Sequence, residues 1–230
     1  FDIRTVDALG VTGDQVKQSY YEAWVQVIGN ALPAGPEIGF DYPSFAAGKA
    51  SLWAYGSPCC RYTATWDSLY GMQYYVQIDP DSAWEMMKGL MSLVDDKGMI
   101  AGESLPSNNA RVAWMLYTAK KDRAALAQIQ PQLEKHLKWR YDNPRWIYGD
   151  STPDPFEKDM AFVSSALIDA QYLKRINEEL GLDASFNAAW DERIEKLYNN
   201  MRLWFFSPVT AYPVEYFSCL LYTSPSPRDR

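Results

Sequence analysis

Histidine is almost absent from this chain of 230 residues, since His136 is the only one. Ser-His and Cys-His nucleophiles and histidine–metal chemistry therefore lack their usual base or ligand. Of three cysteines, Cys59 and Cys60 are neighbours, a spacing that disfavours a mutual disulfide. We predict no disulfide framework and no zinc site, and expect packing or loop roles for this pair. Carboxylates are left as the acid and base groups.

Basic clusters and long apolar runs are also missing. The formal net charge is -7 and no stripe of Lys and Arg is present, which argues against a nucleic-acid partner. Apolar runs extend over a few residues, against about 20 for a bilayer span, so no membrane-spanning segment is predicted. No motif indicates a cofactor. With 47% apolar and 22% charged residues, the composition is that of a globular protein with a core.

Aromatic residues are abundant. Nine Trp, sixteen Tyr and nine Phe make up 15% of the chain. Trp and Tyr combine a flat apolar face with a polar group, so they can line a sugar-binding cleft as well as fill a core. Because most of them recur at helical spacing, we expect most to be core residues.

Apolar periodicity and capping residues predict about seven helices. Their expected ranges are 14–30, 66–78, 80–94, 108–119, 123–141, 158–180 and 183–203, with Asp14 and Asp183 as N-caps and Gly181 as a C-cap. Pro131 is expected to divide the fifth into a short and a longer helix. The span from Ala31 to about Thr65 holds four prolines and shows no helical period. The alternation between Phe205 and Phe217 is compatible with a short strand.

Short turns alternate with long polar connections along the chain. The turns at Asp79-Pro80, Lys121-Asp122 and Leu182-Asp183 predict antiparallel hairpins, which stack into a bundle or a solenoid-like ring. We therefore expect the short turns at one end of the hairpins and the long connections at the other. Long connections gathered at one end typically form a surface for ligand contact.

The long connections concentrate residues suited to sugar binding. These are Arg61, Trp66, Asp67, Glu103, Asn108, Asn109, Trp146, Asp150, Asp154, Glu157, Lys158 and Asp159. Hydrolysis of a glycosidic bond needs two carboxyl groups, one to protonate the leaving oxygen and one to activate water or attack directly. Asp67 and Asn108 also have a structural interpretation, as a helix-start carboxylate and an N-cap.

Several motifs carry a resemblance to a known group. It lies in TWDSLYG, in GMIAGESLPSNNARVAW, and in KDMAFVSSALIDAQYLKRINEELG followed by AAWDERIEKL. These motifs resemble six-hairpin α/α toroid glycosidases, especially glycoside hydrolase families 63 and 37, over roughly Tyr20 to Leu203. The resemblance implies an all-α fold, a partial (α/α)6 toroid of which the predicted helices would be the first half. It also implies inverting hydrolysis of a carbohydrate substrate.

The resemblance assigns roles to individual residues. It implies that Asp150, in the segment GDSTP, is the general acid and that Trp66, Asp67, Glu103 and Asn108 contact the sugar. Arg61, in the connection before Trp66, is a further candidate for sugar binding. Asp154 and Asp159 remain alternatives for the acid. The family's base is a glutamate further along, and no residue before Ser218 takes that role, so this stretch alone is expected to be inactive.

The two ends of the chain have their own interpretation. The segment CLLYTSPSPRD, from Cys219 to Asp229, resembles an in-frame translation of a transposon-end sequencing adapter. We therefore expect an artefactual tail at 219–230 that does not fold against anything, after a catalytic-domain portion at 1–218. The chain begins with Phe1 rather than Met, which favours a window from a longer gene.

The sequence also bears on three other functions. A sugar epimerase on a similar helical ring would rely on histidines, which His136 alone does not supply. Asp95-Asp96 faintly resembles the metal-binding motif of terpene cyclases, but Lys97-Gly98 follow where a third acid is needed. A non-catalytic helical carbohydrate-binding or scaffold protein, in which the acids only solvate the loops, is the main alternative to a glycosidase.

Overall fold

The computed structural model describes residues 10–36, 41–45, 65–100, 106–143 and 159–206, together with the backbone of two strands after residue 214. This part of the chain is mainly helical, which confirms the all-α prediction. Its helices are α1 (Gly13–Gly29), α2 (Thr65–Tyr75), α3 (Pro80–Ser92), α4 (Asn109–Lys120), α5 (Arg123–Asp142), α6 (Met160–Leu180) and α7 (Ala184–Phe205). Within these ranges, no helix combines the length and apolar character that a bilayer crossing requires.

Capping residues set most helix boundaries. Asp79 accepts a hydrogen bond from the Ser82 amide at 3.0 Å at the start of α3, and Asp183 caps α7 in the same way. Gly181 ends α6 with a φ of 66°, a conformation that costs glycine little. The N-cap prediction for α1 is wrong by two residues. Thr12 caps that helix because its hydroxyl and the Gln15 side chain form a reciprocal capping box.

Pro131 does not divide α5, so the prediction of two helices there is wrong. A proline inside a helix leaves the carbonyl four residues earlier without its amide partner. Here that carbonyl belongs to Ala127, and both Ala127 and Pro131 are exposed, so water can replace the missing donor. The buried face of α5, with Leu126, Leu133 and Leu137, continues across the proline and holds the helix in one piece.

The core lies between α3, α4, α5 and α6. On α3, Trp84, Met87 and Leu90 are all 3% exposed or less, and burial of each such side chain stabilises the fold by about 1.5 to 3 kcal/mol. The last of these helices, α6, packs against α4, α5 and α7, and α3 packs against α2, α4 and α5. Each helix thus contacts its neighbours in the chain and one or two beyond, as in stacked hairpins.

A small antiparallel sheet that the sequence analysis did not predict covers one side of α2 and α3. It pairs β1 (Ala31–Leu32) with β2 (Ser44–Phe45). Phe45 packs on Gly71 of α2, where an added Cβ would lie 2.0 Å from the ring, and Tyr42 packs on Gly89 of α3 in the same way. The Ser68 hydroxyl donates to the Phe45 carbonyl at 2.8 Å. The sheet therefore packs closely on α2 and α3 at the two positions where glycine leaves room for an aromatic ring.

A second sheet joins β3 (Glu215–Phe217) to β4 (Leu220–Tyr222). The strand predicted before residue 218 is confirmed over β3, which also lies against α7. The expectation that residues 219–230 fold against nothing is wrong for β4. Strand pairing uses backbone amides and carbonyls, so it does not require the side-chain periodicity that this segment lacks.

The three short turns lie at one end of the array. Lys120, at the end of α4, forms an ion pair with Asp81 at the start of α3. Arg123, at the start of α5, donates to the Leu180 carbonyl at the end of α6, at 2.7 Å. These contacts confirm the predicted clustering of the turns. Because the helices alternate in direction, the long connections begin and end at the opposite end.

Candidate functional site

A small hollow lies at the end of the array opposite the short turns, between the first turns of α2 and α4. Trp66 and Tyr70 of α2 form one side, and Ser107 and Asn108, directly before α4, form the other. The described walls also include Leu69, Gln73 and Pro106 and enclose about 10 Å³. Two of the predicted sugar-binding residues, Trp66 and Asn108, are thus brought together. A volume this small indicates that a ligand would rest on the hollow's surface.

The surface beside the hollow is an aromatic pair. The rings of Trp66 and Tyr70 stack with their centroids 5.4 Å apart and their planes 29° apart. Trp66 and Tyr70 are an i, i+4 pair on α2, a spacing that places both side chains on the same face of the helix. Tyr70 is 44% exposed, and Trp66 is half-buried. Such a pair offers a flat apolar face with polar edges, the surface that a pyranose ring can stack on.

Asn108 presents a buried acceptor at the hollow. It occupies the N-cap position of α4, but its side chain makes no capping hydrogen bond. Its Oδ1 is buried and has no donor within hydrogen-bonding distance among the described residues. A buried acceptor without a donor costs about 1 to 3 kcal/mol, and a ligand hydroxyl would recover this free energy where the side chain turns its oxygen into the hollow. Asn108 is thus the N-cap of α4 by position, as the structural interpretation expected, but its side chain does not cap the helix.

The capping of α4 is done instead by Asp169, from the middle of α6. Its Oδ1 accepts a hydrogen bond from the Arg111 amide at 3.0 Å, in the first turn of α4. Its Oδ2 pairs with the Arg140 guanidinium at 2.8 Å, and both side chains are only 2% exposed. Arg140 also donates to the Ser165 hydroxyl. This cluster ties α4, α5 and α6 together at the first turn of α4 and leaves the Asn108 side chain without a capping role.

Burial is the largest influence on the Asp169 carboxyl and raises its pKa. The positive charge of Arg140 and the hydrogen bond from the Arg111 amide act in the opposite direction. The sequence analysis missed both members of this pair. Each is a charged residue on the apolar face of its helix, which is the signal that could have revealed it: Asp169 stands between Ala166 and Leu173, and Arg140 follows Leu133 and Leu137.

Asp67 lies in the first turn of α2 but is not among the described residues that line the hollow. Partial burial raises the pKa of its carboxyl above the ordinary value for aspartate, and a hydrogen bond from its own backbone amide offsets part of that effect. A raised pKa means that this carboxyl holds its proton to a higher pH than an ordinary surface aspartate does. Its position one residue after Trp66 directs it to a different side of α2.

The remaining predicted site residues have two different outcomes. Arg61, Glu103, Asp150 and Asp154 lie outside the described residues. Asp159 is the N-cap of α6, where its Oδ1 accepts from the Ala161 and Phe162 amides at 2.7 and 3.0 Å. A carboxylate committed to two amides is poorly suited to donate a proton, so Asp159 is the weaker of the alternatives to Asp150.

The ends of the long connections are described, and they lie at the same end of the helical array as the hollow. Residues 46–64 leave from Phe45 and return at Thr65, where Ser68 bonds the Phe45 carbonyl. Residues 101–105 return at Pro106, in the wall of the hollow. Residues 144–158 leave from the end of α5 and return at Asp159, in the region of the Arg140–Asp169 pair. The segments that carry Arg61, Glu103 and Asp150 are thus anchored at the same end as Trp66.

In chemical terms, the described part of the site is suited to binding an uncharged ligand. It offers an aromatic face and an amide oxygen, with no acidic or basic side chain (Asp, Glu, Lys, Arg or His) among the described lining residues. Across the described ranges, no three His, Cys, Asp or Glu side chains are grouped closely enough to hold a metal ion. No protein-family model matches the chain, and no curated protein is detectably similar to it.

Proposed function

We propose that this chain belongs to a glycoside hydrolase that cleaves glycosidic bonds by carboxylate acid–base catalysis. The observation that carries the proposal is the stacked pair Trp66–Tyr70 beside the unsatisfied Asn108 oxygen. An apolar ring face and a hydrogen-bond acceptor side by side match a pyranose, which has apolar C–H faces and equatorial hydroxyls. The helical array, with its long connections anchored around this point, supports a toroid-type scaffold.

The roles of the residues follow from their chemistry. Trp66 and Tyr70 support the sugar ring, and Asn108 accepts a hydrogen bond from one of its hydroxyls. Asp67 is proposed as a further sugar contact from the neighbouring side of α2, where partial burial raises the pKa of its carboxyl. Arg61 and Glu103 are proposed as further sugar contacts. Asp150 is proposed as the acid that protonates the departing oxygen, and a base about 6.5 to 9.5 Å away would give inversion.

Replacing Trp66 by alanine is expected to weaken saccharide binding about tenfold, because an aromatic face is worth about 0.5 to 1.5 kcal/mol beyond its buried area. Isothermal titration calorimetry with neutral disaccharides of several linkages measures this. Trp66→Phe, which retains a flat ring, should lose less than half of the binding free energy that alanine loses.

Trp24→Ala is the matched control, because Trp24 is also half-buried but lies on α1 and does not line the hollow. Circular dichroism verifies that each variant is folded. Equal affinity in the Trp66→Ala and Trp24→Ala proteins would contradict the assignment of the aromatic pair.

Asp150→Asn, assayed in a form of the protein that turns over an aryl glycoside, is expected to lower kcat by about a hundredfold or more while the affinity for saccharide is retained. Asparagine has nearly the same shape but no proton of suitable acidity. Asp154→Asn is the control, since it makes the same change four residues later. Saccharide binding without turnover in any form would instead favour a carbohydrate-binding or scaffold protein.

A further inference from the structure

A second and larger cleft lies beside the aromatic hollow, farther along the same two helices. It has a volume of about 490 Å³ and runs between the later turns of α2 and α4. Gln73 lines both this cleft and the hollow, so the two are adjacent and share a wall. Gln77 and Thr118 lie at the far part of the cleft, and both are exposed. A ligand on Trp66 could therefore extend along α2 into this cleft.

The lining of the cleft is uncharged and combines three polar residues with four apolar ones, Val76, Pro80, Met115 and Ala119. Gln73 donates one amide hydrogen to the Leu69 carbonyl at 3.2 Å, which leaves its second hydrogen and its oxygen for a ligand. The Thr118 hydroxyl donates to the Met115 carbonyl at 2.8 Å, so its oxygen can still accept. Gln77 adds another amide. This mixture of donors and acceptors matches hydroxyl groups, each of which can both donate and accept.

Charged ligands find no partner in this cleft. None of the described residues that line it is ionisable. Of the charged groups next to it in the chain, Asp79 accepts hydrogen bonds from Ser82, and Asp81 and Lys120 are paired with each other. A phosphate, a carboxylate or a cationic ligand would therefore lose hydration without gaining a counter-charge. The occupant favoured by this lining is neutral and rich in hydroxyls.

The length of the surface exceeds that of one sugar ring. At 1.5 Å per residue, Trp66 and Gln73 are about 10 Å apart along α2, and the cleft continues past Gln73. We propose that this cleft binds the further units of an uncharged, linear oligosaccharide whose first unit lies on Trp66 and Tyr70. The inference rests on the proposed function, and it specifies the substrate class as an extended neutral glycan rather than a mono- or disaccharide glycoside.

The test measures how affinity depends on chain length. Calorimetric titrations of the 230-residue chain use neutral glucose oligosaccharides, from disaccharide to hexasaccharide, in α-(1,4) and β-(1,4) series. In one series, affinity should rise about tenfold between the disaccharide and the longer members, as one or two added hydrogen bonds would give. The double variant Gln77→Ala/Thr118→Ala should abolish this rise and leave the disaccharide affinity unchanged. Both residues are exposed, so the fold is not expected to be disturbed.

Gln128→Ala/Thr118→Ala is the matched control, because Gln128 is an exposed glutamine on α5 that does not line the cleft. This control should retain part of the increase in affinity with oligosaccharide length that the first double variant loses. Disaccharide binding that depends on Trp66, with no gain for longer chains, would overturn the cleft proposal and leave the proposed function intact. Absence of any saccharide binding would overturn both. Tighter binding of an uncharged peptide than of every oligosaccharide would also overturn the cleft proposal.

Discussion

Asp169→Ala is expected to lower the free energy of unfolding by about 3 to 5 kcal/mol, because it leaves the Arg140 guanidinium buried without its counter-charge. The pair is 2.8 Å apart and both side chains are 2% exposed. The same substitution removes the acceptor for the Arg111 amide and so uncaps α4. Urea denaturation followed by far-UV circular dichroism measures the loss.

Asp183→Ala is the matched control for this prediction. Asp183 is also an N-cap aspartate, with its carboxylate accepting from the Ser185 amide at 2.8 Å, but it is exposed. Its removal should cost about 1 kcal/mol. The double variant Asp169→Leu/Arg140→Met should recover part of the stability lost in Asp169→Ala, because it removes the unpaired charge. A loss in Asp169→Ala no larger than in Asp183→Ala would show that the buried pair is not formed.

The effect of Gly71→Ala on the free energy of unfolding should depend on the residue at position 45, being destabilising beside Phe45 and neutral or stabilising beside alanine. In the natural sequence the new methyl group would lie 2.0 Å from the Phe45 ring, so the sheet must shift, at a cost of about 1 to 3 kcal/mol. Phe45→Ala alone should cost about 3 to 5 kcal/mol, because Phe45 is 6% exposed and leaves a cavity. Once Phe45 is alanine, Gly71→Ala should become neutral or stabilising by about 1 kcal/mol, since alanine favours a helix over glycine.

A double-mutant cycle of these four proteins, unfolded in urea, measures the coupling between the two positions. Gly29→Ala is the control for helix propensity, because nothing lies within 4 Å of a Cβ added there. If Gly71→Ala stabilised the natural protein as much as it stabilised the Phe45→Ala protein, Phe45 would not pack on α2 as described.

The helices were predictable because their ends are determined by short-range chemistry. Asp79 with Pro80, and Asp183, each act within four residues, so their signals are visible in the sequence. The break predicted at Pro131 is wrong because the cost of a proline inside a helix depends on whether water reaches the carbonyl four residues earlier, here that of Ala127. A local sequence pattern does not show this exposure. The sheet of β1 and β2 was missed for a similar reason, since its position depends on Gly71, which is 26 residues beyond Phe45.

The candidate site was predictable only in part. Sequence patterns identified Trp66 and Asn108, and the structure brings them to one hollow. They did not identify Tyr70, although it follows Trp66 by one helical turn, because aromatic residues at that spacing are usually core residues. They also could not show that Asp169, rather than the Asn108 side chain, accepts the hydrogen bond from the first turn of α4, since Asp169 is 61 residues further along the chain.

The clustering of the three short turns affects how this protein can vary. Asp81–Lys120 and Arg123–Leu180 fasten one end of the array, and the core residues of α3 to α6 lie between the two ends. A change in the length of a long connection, at the opposite end, therefore leaves these described contacts at the turns in place. The turn end and the core therefore form a fixed base, so ligand preference could be re-engineered by exchanging one connecting segment at a time.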